Sequence, residues 1–145
     1  YLDCRLFDHL TFLKQLLIGE NFIRTIKTGC FNKLNKLTSL NLNYMYFAEI
    51  KSKISITNMI KSLKVLNLKN TSIEAIEYFN LLKINELDIG QNELSYKIYN
   101  SLPFKTASKL IISNLRMNKK LEFLNSNFNS EITDLDMSKN LIDYD

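Results

Sequence analysis

The sequence predicts an α/β solenoid, in which short parallel strands stack into one sheet and short irregular or helical segments lead from each strand to the next. Two observations predict it: an apolar pattern occurs six times along the chain, and its copies are spaced by 24, 26, 21, 23 and 25 residues. The composition agrees, because 46% of the 145 residues are hydrophobic and 23% are charged. We expect a single domain over residues 1–145, with repeats starting at 13, 37, 63, 84, 107 and 132.

The clearest copy of the pattern has apolar residues at its positions 1, 4, 6 and 11, occupied by Ile84, Leu87, Ile89 and Leu94. Positions 4 and 6 alternate with positions 3, 5 and 7, which is the period of a strand buried on one face. Stacking the copies in parallel gives a continuous core, and its members at positions 4 and 6 are Leu16, Leu40, Leu66, Leu87, Leu110, Leu135, Ile18, Leu42, Leu68, Ile89, Ile112 and Met137.

The pattern resembles the signature of the leucine-rich repeat family, from Leu13 to the last residues of the chain. The segment Gly29-Cys-Phe31-Asn-Lys-Leu34-Asn-Lys-Leu37 looks like the return of receptor-type repeats, whereas residues 73–81 are similar to a shorter cytoplasmic and bacterial class. The resemblance implies a right-handed horseshoe with the parallel sheet on its concave face, and it implies that this face binds a partner.

Position 9 of the repeat is where the chain turns out of the strand. A carboxamide there can satisfy backbone groups that would otherwise be buried without partners. The residues suited to this role are Asn21, Asn92 and Asn140, with Thr71 as a partial substitute. Met45 and Leu115 cannot serve, so we expect the polar ladder to be broken in repeats two and five.

The remaining segments predict the convex side and the ends of the array. Phe31, Phe79 and Phe104 fill the convex half of the core, and residues 118–124 form a short helix. Residues 1–12 predict an N-terminal cap helix that covers the first strand with Leu2, Leu6 and Leu10. No similar segment follows Ile142, so we expect a missing C-terminal cap, with further repeats or an end open to association.

The candidate partner-binding residues lie at the positions that face away from the core, and they are Asn41, Asn43, Tyr44, Asn67, Lys69, Glu86, Asp88, Lys109, Ile111, Asp134 and Asp136. The C-terminal half of this set is acidic, although the chain as a whole has a net charge of +4. This contrast favours another protein with a basic segment as the partner. Ile111 and Tyr44 are candidate apolar anchors.

Motifs for catalysis and for cofactors are missing from the sequence, so we expect no enzyme activity, no cofactor and no metal. Cys4 and the single histidine, His9, would lie about 140° apart on a helix, too far around it for a dyad. The pairs Glu86/Asp88 and Asp134/Asp136 lie two repeats apart, roughly 10 Å, which argues against a shared cation or a glycosidase pair.

The function predicted is therefore a non-catalytic protein–protein interaction module. Two alternatives remain: the ligand-recognition fragment of an extracellular receptor or adhesin, and the substrate-recognition part of a larger enzyme or effector. The 16 Lys among 19 cations are scattered, which disfavours nucleic acid, and no apolar stretch reaches the length of a membrane span.

The two cysteines and one glycosylation sequon bear on the cellular compartment. Cys4 and Cys30 could pair if the protein is secreted, but their spacing alone does not show it, and free thiols are the expectation. Asn70-Thr71-Ser72 is the one glycosylation sequon. With so few cysteines and sequons, the cytoplasm is slightly favoured over the extracellular space.

Overall fold

In the computed structural model the described residues are 2–27, 29–45, 60–73, 83–93, 106–114 and 131–140. They contain a 3₁₀ helix at Cys4–Phe7 and six short strands. The strands are β1 Gln15–Leu17, β2 Ser39–Asn41, β3 Val65–Asn67, β4 Glu86–Asp88, β5 Lys109–Ile111 and β6 Asp134–Asp136.

The six strands form one parallel sheet in sequential order, β1 to β6. This confirms the predicted parallel sheet and the phase of the repeat, because each position-4 leucine pairs with the next one along the chain. The register runs through Leu16, Leu40, Leu66, Leu87, Leu110 and Leu135.

The same backbone hydrogen bonds join each repeat to the next. The N–H at position 6 donates to the C=O at position 5 of the following repeat, as from Leu68 to Asp88 at 2.7 Å. The N–H at position 8 donates to the C=O at position 7, as from Tyr44 to Lys69 at 2.8 Å. Both bonds recur at all five junctions, so the pairing extends past the three-residue strands into the turns that follow them.

Position 8 has a left-handed backbone in every repeat. The six residues, with φ between 50° and 59°, are Glu20, Tyr44, Asn70, Gln91, Asn114 and Lys139. Residues other than glycine rarely adopt this conformation, and Asn tolerates it best. It turns the chain out of the strand at the same point each time, which keeps the repeats in register even though five different residue types occupy the position.

The core lies on one side of the sheet, where the position-4 and position-6 side chains of β2 to β5 are fully buried. Phe31, predicted to fill the convex half of the core, is buried there with Leu34 and Leu37. Burial ends at β6, where Leu135 is 41% exposed. Leu135 follows the repeat pattern as well as Leu87 does, so its exposure reflects its place in the last described strand and not its local sequence.

Asn92 performs the role predicted for position 9. It is fully buried, and its Nδ2 donates to the carbonyls of Leu68 and Ile89 at 2.8 Å and of Gly90 at 3.2 Å. Its Oδ1 accepts from the N–H groups of Thr71 and Ile73 at 2.9 and 3.1 Å. Five backbone groups from two repeats thus converge on one carboxamide.

The other polar position-9 residues also bond backbone carbonyls of the turn. The Nδ2 of Asn140 donates to the carbonyls of Ile112 and Met137, both at 2.8 Å. The Nδ2 of Asn21 donates to the carbonyls of Ile18 and Gly19, both at 3.0 Å. The hydroxyl of Thr71 donates to the carbonyl of Leu68 at 2.7 Å. Met45 is fully buried among apolar side chains, so in repeat two packing replaces the carboxamide.

The predicted N-terminal cap helix is wrong in type and in two of the three leucines expected to cover the first strand, whereas Leu2 does pack against the core. The helix is a 3₁₀ turn limited to Cys4–Phe7, and Leu6 is 66% exposed and Leu10 also exposed. Only Leu6 lies within this short turn, so the i, i+4 spacing of the three leucines does not place them on one helix face. Phe7 is buried instead, and its ring centroid lies 5.5 Å from that of Phe31.

Cys4 and Cys30 form a disulfide, with their Cα atoms 4.8 Å apart. The expectation of free thiols is therefore wrong. The bond joins the N-terminal 3₁₀ turn to the segment that enters the second repeat, beside the Phe7–Phe31 contact. Sequence spacing could not show this, because residues 26 apart meet only once the first return has folded.

Several expectations lie outside the described residues. These are the convex fillers Phe79 and Phe104, the helix at 118–124, most of the return at 73–81, Leu94 at position 11 of the clearest copy, Leu115 at position 9, and the chain beyond Asn140 with its missing cap.

Candidate functional site

The candidate site is the face of the sheet opposite the core, which we call the exposed sheet face. Its two rows of side chains run across all six strands because the strands pair in register. The position-3 row is Gln15, Ser39, Val65, Glu86, Lys109 and Asp134, and the position-5 row is Leu17, Asn41, Asn67, Asp88, Ile111 and Asp136. Every one of these side chains is exposed or partly exposed.

Eight of the eleven predicted site residues lie on this face: Asn41, Asn67, Glu86, Asp88, Lys109, Ile111, Asp134 and Asp136. The other three, Asn43, Tyr44 and Lys69, follow the ends of β2 and β3 and lie at the rim of the sheet. Leu17, at position 5 of the first repeat, is an exposed apolar member of the face that the predicted site does not include.

The polar residues at position 5 also hold the turns that follow their strands. Asn41 Oδ1 accepts the N–H of Asn43 at 2.9 Å, and Asn67 Oδ1 accepts that of Lys69 at 3.0 Å. Asp88 and Asp136 do the same for the N–H groups two residues on, Gly90 and Ser138, at 2.9 Å. Such bonds are typical of Asn and Asp in turns.

The turn-holding role was missed at the sequence level, although its signal is visible there. Four of the six position-5 residues are Asn or Asp, and the two exceptions, Leu17 and Ile111, are apolar. A side chain that uses one oxygen for its own turn has only its second oxygen or its amide left for a partner. Glu86 has no such bond to a turn N–H, and Asp134 Oδ2 instead accepts the hydroxyl of Thr133 at 2.8 Å, so neither carboxylate holds its own turn.

Glu86, Lys109 and Asp134 are consecutive members of the position-3 row. Lys109 therefore lies between two exposed carboxylates, and it forms no ion pair within 4.0 Å with either of these two described residues. In the next row Ile111 separates Asp88 from Asp136. The acidic half of the face is thus a set of carboxylates on alternate strands, with one cation and one apolar residue between them.

The two position-5 acids differ in their environments. Burial raises the pKa of Asp88, and the nearby charge of Asp136 raises it further, against the lowering effects of the Gly90 N–H, Lys69 and Lys109. The pKa of Asp136 is lowered, first by the Ser138 N–H and then by the hydroxyls of Ser138 and Ser113. The carboxylate of Asp136 is therefore stabilised in its ionised form, whereas burial disfavours the ionised form of Asp88.

At the rim, Lys69 Nζ lies 5.7 Å from the centroid of the Tyr44 ring, within range of a cation–π contact. Asn43 is less available, because its backbone and side-chain oxygens lie directly over Gly19, where any Cβ would collide with them. An open cleft beside this rim is lined by Glu20, Asn21, Phe22, Arg24 and Tyr44. Phe22 is fully exposed there, which the pattern did not predict.

The described residues also bear on a Cys4–His9 dyad, on metal binding and on membrane-spanning helices. Cys4 has no thiol to pair with His9, because it is bonded to Cys30. Within the described ranges no group of three or more His, Cys, Asp or Glu side chains could hold a metal ion. Among those same residues no helix is long and apolar enough to cross a membrane.

Comparison with known proteins adds no relative to this picture. No family model, curated protein or solved structure matches the chain.

Proposed function

We propose that the chain is a leucine-rich repeat solenoid, and that it works as a non-catalytic module binding a partner protein across the exposed sheet face. One observation supports this above all. Six consecutive strands present two aligned rows of side chains that are not packed into the core. In the family that the sequence resembles, this face is the concave one.

The charge on the face favours a partner with a basic segment. Glu86, Asp134 and Asp136 are exposed carboxylates on the C-terminal half of the face, in a chain with a net charge of +4. Positive charge on a partner would be attracted to these carboxylates, whereas the rest of the chain carries more cations than anions. Complementarity of this kind raises association rates and selects the orientation of binding.

The test is a capture experiment from extracts and culture medium of the source cells, with a charge-reversal pair. Glu86→Lys with Asp134→Lys alters the position-3 row, where no turn depends on the carboxylates. Asp8→Lys with Glu93→Lys makes the same change in net charge at exposed residues that lie neither on the face nor in the cleft beside its rim. Circular dichroism and thermal melting establish that all three chains fold.

We expect the natural chain and the Asp8/Glu93 variant to capture the same protein, and the Glu86/Asp134 variant to lose it. A photoactivatable crosslinker at Ser39, on the same face, should then attach to that protein. Equal capture by both variants, with no crosslink at Ser39, contradicts binding through the exposed sheet face.

A second candidate function is the recognition fragment of an extracellular receptor or adhesin. The disulfide Cys4–Cys30 favours it, because structural disulfides persist mainly in oxidising compartments. The same observation argues against the cytoplasmic location that the sequence slightly favoured. Titration of thiols in the denatured natural protein, without reductant, tests it: we expect none, and two free thiols would contradict this candidate. Nothing in the described residues favours the recognition part of a larger enzyme.

A further inference from the structure

Asn70 lies at position 8 of the third repeat, three residues after the end of β3, and it begins the tripeptide Asn70-Thr71-Ser72. Its backbone is left-handed, with φ of 52°, and its N–H donates to Gly90 O at 2.9 Å. Asn is one of the residues that tolerate this conformation. The main chain of Asn70 is therefore fixed without any help from its side chain.

The carboxamide of Asn70 has no structural role within the part of the chain that the structure describes. Among the described residues none forms a hydrogen bond to it, whereas the carboxamide of Asn92 joins five backbone groups in the core. Side chains at position 8 lead away from the core: Tyr44, the equivalent residue in the preceding repeat, is exposed, and Asn70 is itself partly exposed. Its amide nitrogen belongs to the rim of the sheet.

The two residues that follow have separate roles. Thr71 is fully buried, and its hydroxyl donates to Leu68 O at 2.7 Å, so it is committed to the core. Ser72 is partly exposed and supplies the hydroxyl that an Asn-x-Ser acceptor sequence needs. In this tripeptide the amide of Asn70 and the hydroxyl of Ser72 are therefore both partly exposed, and the buried Thr71 between them fixes the segment to the core.

The disulfide is independent evidence on the compartment. Cys4–Cys30 requires an oxidising environment to form and persist, and the secretory pathway, where N-linked glycans are attached, is such an environment. An exposed acceptor sequence has a chemical consequence only in a chain that passes through that compartment.

We propose that Asn70 is the acceptor of an N-linked oligosaccharide, delivered by a transferase from a polyprenyl-diphosphate-linked donor. The Asn70 amide nitrogen bonds to C1 of the first sugar, and the bond from that carbon to the diphosphate oxygen breaks. The polyprenyl diphosphate leaves with the bonding electrons, and the nitrogen gives up one proton. The glycan then projects from the rim beside β3, and the core and its disulfide are unchanged.

The test is expression of the whole chain behind a cleavable leader in eukaryotic cells, with analysis of chains whose leader has been removed. Intact mass before and after peptide-N-glycosidase F gives the occupancy, and peptide mapping finds the Asn-to-Asp conversion that the enzyme leaves. Asn70→Gln removes the acceptor. Ser72→Ala is the matched control, because it removes the sequon but keeps Asn70.

We expect one glycan, on Asn70, in the natural chain and none in either variant. The glycosylated chain should melt within about 4 °C of Ser72→Ala and have no free thiol. Leader-processed chains with unmodified Asn70 would overturn the proposal. A glycan that lowers the melting temperature by more than this, or that prevents formation of Cys4–Cys30, would also overturn it, because the fold would then not accommodate the sugar.

Discussion

At the scale of single residues, Asp88 shows how a side chain on a binding face can belong to the fold as well. Its Oδ1 accepts the Gly90 N–H at 2.9 Å, and burial raises its pKa. Asn41 and Asn67 make the equivalent bond on neighbouring strands without a charge. A carboxamide at position 88 could accept the same Gly90 N–H without the desolvation penalty of a partly buried charge.

Asp88→Asn should raise the free energy of unfolding at neutral pH. Because the pKa of Asp88 is higher in the folded state than in the unfolded state, ionisation disfavours folding, and the loss grows as pH rises through the folded-state pKa. The advantage of the Asn variant should therefore be absent at acid pH, where Asp88 is protonated in both states. Denaturant unfolding between pH 3 and pH 7 measures the difference, and an advantage that shrinks with rising pH would contradict it.

Asp88→Ala separates the hydrogen bond from the charge. It removes the acceptor for Gly90 N–H, so we expect it to be less stable than Asp88→Asn by about 0.5–1.5 kcal/mol in the same unfolding experiment. If position 5 were only a solvated surface position, as the sequence pattern alone suggests, the Ala and Asn variants would be equally stable.

Asn92→Leu should be among the most damaging substitutions in the chain. It leaves buried carbonyl and N–H groups of two repeats without partners, and we expect a loss of about 3–5 kcal/mol. Asn140→Leu is the matched variant, since Asn140 is only partly buried. Thermal and urea unfolding should rank the Asn92 variant well below it, and similar losses would mean that the buried network is unimportant.

At the scale of the repeat element, the left-handed residue at position 8 is the feature that all six copies share and that the apolar pattern did not contain. It occurs with Glu, Tyr, Asn, Gln and Lys, so residue identity does not select it. The hydrogen bond from its N–H to the next repeat accompanies it at all five junctions. Lys139, after β6, has the same conformation without such a bond among the described residues, so the bond accompanies the left-handed turn and does not by itself impose it.

Gln91 allows this to be tested in the middle of the array, where φ is 57°. Gln91→Asn should be neutral or slightly stabilising, because Asn tolerates the left-handed region. Gln91→Ile should cost about 1–2 kcal/mol, since a branched side chain is strained there. Equal stabilities of the two variants in chemical unfolding would show that position 8 is not left-handed in solution.

At the scale of the whole molecule, stability should depend on the place of a repeat in the stack. Leu87 and Leu135 occupy the same repeat position, yet Leu87 is buried between two strands and Leu135, in β6, is 41% exposed. In an array of stacked repeats each unit is stabilised mainly by its neighbours. A leucine at position 4 should therefore contribute more to the free energy of unfolding in the centre of the sheet than in β6.

Leu87→Ala should cost about 2–5 kcal/mol, as expected for a buried leucine replaced by alanine. Leu135→Ala should cost less than about 1 kcal/mol, because much of its side chain is already in contact with water. Unfolding monitored by circular dichroism gives both values. If Leu87→Ala lowered the free energy of unfolding by less than about half a kcal/mol, Leu87 would not be a core residue and the assigned phase of the repeats would be contradicted.

The sequence by itself determined the parallel sheet, its register and the face that is exposed, because an apolar residue at every position 4 and 6 leaves one arrangement that buries them all. It also indicated the role of Asn92, since a carboxamide at a recurrent turn has few other uses. Tertiary structure alone decided the Cys4–Cys30 bond and the burial of Phe7 in place of Leu6 and Leu10. Both depend on contacts between segments that are far apart in the chain, and a local pattern does not contain such contacts.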